Sequence, residues 1–139
     1  MEVSLVRRRL HETIERAKRR AADRRARSEE AGTAFSRFLE FTAVPLFRQV
    51  VNVLRADGYL YNLFTPPGGV GLMSDRRPED RIELRLDTSR DELQLVLHSS
   101  RTWGGGVIET EKAIGDPAKL TEDELLAALL TELEPFVEK

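Results

Sequence analysis

The stretch Phe35–Leu54, FSRFLEFTAVPLFRQVVNVL, decides the fold. It is the most apolar long run of the chain, and its spacing is helical. Phe35, Phe38, Leu39, Leu46, Val50, Val53 and Leu54 fall on one side of a 3.6-residue period. Phe41, Val44, Phe47 and Val51 widen that side, so the helix should be buried over more than half its girth. Pro45 removes a backbone donor and crowds the preceding turn, which predicts a kink or a restart with Pro45 in the first turn. Asp57-Gly58 should end the helix, with Gly58 as a left-handed cap.

What such a helix covers is written just downstream. Arg81–Asp87 alternates, with Ile82, Leu84 and Leu86 on one face and Glu83, Arg85 and Asp87 on the other. Glu92–Ser99 alternates again, with Leu93, Leu95 and Leu97 inward and Gln94, Val96 and His98 outward, after a hairpin-length loop at Thr88–Asp91. Two such neighbours describe an antiparallel sheet covered on one face only. Tyr59–Phe64 reads as a strand before a turn at Thr65–Gly71, and Val70–Met73 as a possible short edge strand. Val107–Ile114, polar in its middle, reads as a last edge strand after the loose turn Trp103–Gly106. A capping box at Thr121 and Glu124 opens a final helix whose face is Leu125, Leu126, Leu129, Leu130, Leu133 and Val137. The expected fold is α+β: three to four antiparallel strands, covered on one face by the core helix and the C-terminal helix.

Ahead of the core helix, residues 2–30 hold no Pro or Gly and are dense in Arg, Glu and Ala, all good helix formers. Val3, Val6, Leu10, Ile14, Ala17 and Ala21 make a narrow stripe that fades at Arg24, Arg25 and Ser28, too short for a sustained coiled coil. Gly32, followed by Thr33 as an N-cap, suggests a break near residues 29–34. The chain thus divides into a charged helical arm, residues 1–31, and an α+β domain, residues 32–139.

Charge follows the same division. The formal net charge is −2, yet residues 1–30 carry ten basic and six acidic side chains and residues 31–139 twelve and eighteen. Opposite-sign segments suit either a polyanion partner or docking of the arm on its own or a sister chain. Arg outnumbers Lys 18 to 4, as a GC-rich, bacterial-like coding sequence would give. There is no Cys, which excludes disulfides and thiolate metal sites. No signal peptide or membrane span is read, so a cytoplasmic location is expected.

Little of the sequence speaks of chemistry. The two histidines, His11 and His98, lie in a charged helix and near a strand end. His98 beside Ser99 and Ser100 lacks the elbow and oxyanion hole of a nucleophilic site. The acid pairs Glu79-Asp80, Glu109/Glu111 and Glu122-Asp123-Glu124 read as solvated charges and helix-start acids. The glycine-rich turns lack the strand–loop–helix setting of a phosphate loop. No catalytic residue, cofactor or metal is expected.

Two surfaces remain. Arg7, Arg8, Arg9, Arg16, Lys18, Arg19, Arg20, Arg24 and Arg25 form a candidate polyanion surface, weakened by interleaved acids and by the lack of aromatics for base stacking. Tyr61, His98, Arg101 and Trp103 form a candidate partner or ligand surface, provided Tyr61 lies outside the core. The expected function is a non-enzymatic interaction module, self-associating as a homo-oligomer or binding another protein. Nucleic-acid binding through the arm is the alternative, and no membrane partner is expected.

Overall fold

The computed structural model describes residues 1–89 and 93–138. Helix α1 runs from Val3 to Phe38, passes into a π-helical turn at Leu39–Ala43, and continues as α2 from Val44 to Ala56. Five strands follow, β1 (Tyr61–Phe64), β2 (Gly69–Ser74), β3 (Arg81–Asp87), β4 (Gln94–Trp103) and β5 (Gly106–Gly115), and then α3 (Glu122–Val137). The strands form one antiparallel meander in sequence order, so the sheet has five strands where the sequence led us to expect three or four. Residues 69–74 account for the difference. They were expected at most as a short edge strand, but they lie between β1 and β3. Their glycines disguise the alternation, yet Val70 and Leu72 are wholly buried. Part of the expected hairpin loop, residues 90 and 91, and the expected first residue of the next strand, Glu92, lie outside the described residues.

The expected break at residues 29–34 does not form: α1 is uninterrupted there. A mid-helix glycine costs only about 1 kcal/mol against alanine, and residues on either side favour the helix. Thr33 does not cap; its hydroxyl donates to the Glu29 carbonyl one turn back, at 3.0 Å. The irregularity falls instead just before Pro45. Having no N–H, Pro45 cannot donate to the carbonyl four residues earlier, and its ring crowds that turn. The chain widens, and the Val44 N–H donates to Leu39, five residues back. Gly58 closes α2 with φ of 91°, while the N–H groups of Tyr59 and Gly58 reach the carbonyls of Leu54 and Arg55, a Schellman cap.

The core lies between the helices and one sheet face. Phe35, Phe38, Leu46, Phe47 and Val51 from the α1–α2 unit and Leu125, Leu129, Leu133 and Phe136 from α3 meet Tyr61, Val70, Leu72, Ile82, Leu84, Leu95 and Leu97. The register confirms a shared face: Leu72 stands opposite Ile82, Val70 opposite Leu84, and Leu84 opposite Leu97. Three apolar residues placed inward by periodicity stand out instead: Phe41, Val53 and Leu130 are exposed. The π turn shifts the phase of the helix at Phe41. Phe136, rather than the half-buried Val137, closes the buried face of α3. The expected capping box is present, with Thr121 and Glu124 bonding each other's backbone N–H. Among the described residues no helix is long and apolar enough to cross a membrane.

Candidate interaction surfaces

The arm comes first because so much of it is bare. Every residue from 6 to 20 is exposed. Val3, Val6, Leu10 and Ile14 therefore present their stripe to solvent, Leu10 at 58% exposure. On a 3.6-residue helix Arg7, Lys18 and Arg25 run along one flank of that stripe and Arg9, Arg16 and Arg20 along the other. The acids Glu12 and Glu15 sit at the back. Among the described residues the only arm ion pair is Lys18 with Glu15, at 4.0 Å. Arg16 instead donates to the Thr13 hydroxyl at 3.3 Å. Such exposed pairs contribute little, so the cations of the arm remain open to another molecule.

Of the four residues expected on a second surface, the structure brings together only two. Tyr61 lies in the core, its ring edge-on to Phe136 of α3 at 6.4 Å and 81°. Burial first, and then the charge of Asp80, push its hydroxyl pKa up to about 12. Arg101 and Trp103 do meet, the guanidinium 5.5 Å from the indole centroid. They stand at the tip of the β4–β5 hairpin, where Gly104 and Gly105 turn the chain with φ of 58° and 98°. Two consecutive positive φ values mark a tight hairpin turn whose twist suits its strands. Trp103 is 64% exposed. By strand alternation both share the face of Leu97 and Ser99, while His98 points to the opposite face. Alternation along β4 sets His98 apart from Arg101 and Trp103, and burial against α3 removes Tyr61, so these four residues do not form one surface.

The outer face of the sheet is a row across five strands: Phe64, Gly71, Glu83, His98 and Glu111 stand directly opposite one another in turn. Phe64 lies over Gly71, where an added Cβ would come within 2.5 Å of the ring. Glu83 is held by Arg85 at 3.2 Å and Arg81 at 3.8 Å. The buried Nδ1 of His98 has no hydrogen-bond partner among the described residues. Ser99, adjacent in sequence, faces the other way and bonds Thr110 at 2.5 Å and Glu132 of α3 at 3.2 Å. His98 and Ser99 are thus on opposite sides of the sheet. Among the described residues no three His, Cys, Asp or Glu side chains gather as a metal site would require.

Two features had no clear sequence signal. Asp80 is buried in a polar loop and accepts the Thr102 N–H at 2.7 Å, tying that loop to β4. Arg55 of α2 donates to the Tyr61 carbonyl and Asn62 at 3.1 Å and to Asp75 at 3.2 Å, and Asn62 donates to Asp75 as well. Asp80 reads in sequence as a solvated charge, and only the fold shows what it and Arg55 fasten.

α3 supplies a surface opposite in sign to the arm. It carries five acids and no base over sixteen residues. Its buried face is Leu125, Leu129, Leu133 and Phe136, while Leu126 and Val137 are half-buried and Leu130 is 52% exposed. Asp123 and Glu134 lie beside Leu130 on the helix surface. Comparison with known proteins gives no match: no family model, no curated protein and no solved structure corresponds to this chain.

Proposed function

We propose that this protein is a non-enzymatic interaction module that self-associates through its N-terminal helix. One observation carries the reading: residues 6–20 are exposed throughout, yet Val6, Leu10 and Ile14 line up on one side. This stretch gains nothing from packing within its own chain, and helical stability in proteins comes chiefly from burying an apolar face. A second molecule supplies that burial. Light scattering on the full chain should give a multiple of the 15.8 kDa protomer mass. Leu10→Glu with Ile14→Glu should bring it to the protomer mass, because both positions are solvent-exposed and outside the core. A wild-type chain that scatters as a protomer at high concentration would show this reading to be wrong.

A second reading rests on the open cations. Arg7, Arg8, Arg9, Arg16, Lys18, Arg19, Arg20, Arg24 and Arg25 are exposed, and of these only Lys18 pairs with a carboxylate among the described residues. Nucleic-acid binding through phosphates would be steeply salt-dependent and blind to sequence. Arm charge reversal should abolish retention on a polyanion matrix at moderate salt; retention that survives the reversal rules the arm out.

A further inference from the structure

We infer that the arm of one copy packs its Val3–Ile14 stripe on the exposed flank of α3, around Leu126, Leu130 and Val137, in a second copy. This rests on the self-association reading above and names the surface it uses.

Three observations converge. First, residues 6–20 of the arm are all exposed, on an unbroken helix of 36 residues about 54 Å long, and so meet no surface among the described residues of their own chain. Its partner must belong to another molecule. Second, the flanking charges favour unlike helices over like ones. Cations border the arm stripe on both sides, so two arms laid together, parallel or antiparallel, set Arg and Lys against Arg and Lys. Like charges along a helix seam oppose association and select other partners. α3 carries the complementary charge, five acids without a base, of which Asp123 and Glu134 lie beside an apolar strip that remains partly open. Third, the strips match in length. Val3 to Ile14 and Leu126 to Val137 each span eleven residue steps, about 17 Å of helix.

The sheet edge is a weaker means of self-association. β5 offers a ten-residue unpaired edge. Pairing with a second β5 about a two-fold axis normal to the sheet, in any register centred on residues 109–111, opposes Glu109 or Glu111 with another Glu. Like charges directly opposite destabilise a strand pair. The same carboxylates guard the edge. Reciprocal arm exchange, by contrast, makes two equivalent contacts about one two-fold axis and leaves no patch open to further copies.

Complementation on the full chain tests this. One variant reverses α3: Asp123→Lys, Glu134→Lys and Glu138→Lys, all exposed and none of them a member of the capping pair Thr121 and Glu124. The other reverses the arm: Arg7→Glu, Arg9→Glu and Arg20→Glu. Sedimentation should show a wild-type dimer, each variant alone weakened at least tenfold toward the protomer, and an equimolar mixture restored to dimer. In the mixture each arm again meets an α3 of opposite sign. If the α3-reversed variant dimerises like wild type while the arm-reversed one does not, the arm binds another surface; that overturns this inference and leaves self-association standing. A wild-type protomer overturns both, whether or not the arm then binds nucleic acid. Should triple reversal of α3 unfold the chain, Leu130→Arg tests the same contact from an exposed position, and an undiminished dimer there also overturns it.

Discussion

Tyr61 shows how one buried group links core packing to solution behaviour. Its hydroxyl pKa is raised from 10.0 to about 12 by burial and, secondarily, by Asp80. The folded chain therefore keeps this proton where the unfolded chain has begun to release it. Tyr61 contributes fully below pH 10, and its contribution is lost as pH rises from 10 toward 12. Denaturant titrations across that window should show stability falling, and Tyr61→Phe should flatten the fall. An unchanged slope in the variant would place the alkaline sensitivity elsewhere. Asp80 was read in sequence as one member of a solvated acid pair with Glu79. Its role in holding Thr102 was illegible because the two residues are 22 positions apart.

At the scale of elements, α1 is the instructive case. Its helix-forming composition was plain, and the apolar stripe of its N-terminal half was readable residue by residue. Gly32 does not break the helix, because propensity is a small local penalty that flanking helix formers outweigh. An alanine at that position would have open space around its Cβ. Gly32→Ala should therefore stabilise the protein by up to about 1 kcal/mol, seen as a higher thermal midpoint. A hinge at this point would gain nothing. β2 is hard to see in the sequence for the reverse reason: Gly69 and Gly71 carry no side chains to display the alternation. Gly71 is required there by the Phe64 ring and the Ile82 carbonyl, both of which would crowd a Cβ.

For the whole molecule, the charge asymmetry between arm and body gains a spatial meaning. The arm is basic along both borders of its exposed stripe, and α3 is acidic beside its exposed leucine. Exposed charges act over roughly 8–10 Å at ordinary ionic strength and are screened beyond it. If association sets these helices against each other, the dimer dissociation constant should rise between about 50 mM and 500 mM salt, as screening shortens that reach. Sedimentation at several salt concentrations reads this directly. A dimer that tightens with salt would instead be held by apolar contact alone.

Local sequence dictates the class of fold, the helical arm, the two central strands and the cap of the last helix. These follow from local rules: side-chain period, backbone preference and turn chemistry act between near neighbours. Tertiary packing alone settles that Tyr61 belongs to the core, that β2 sits inside the sheet, and that Leu130 and Phe41 remain outside. Those outcomes depend on strand register and helix phase. Both are set by which distant surfaces close over one another, and no short stretch of chain contains that information.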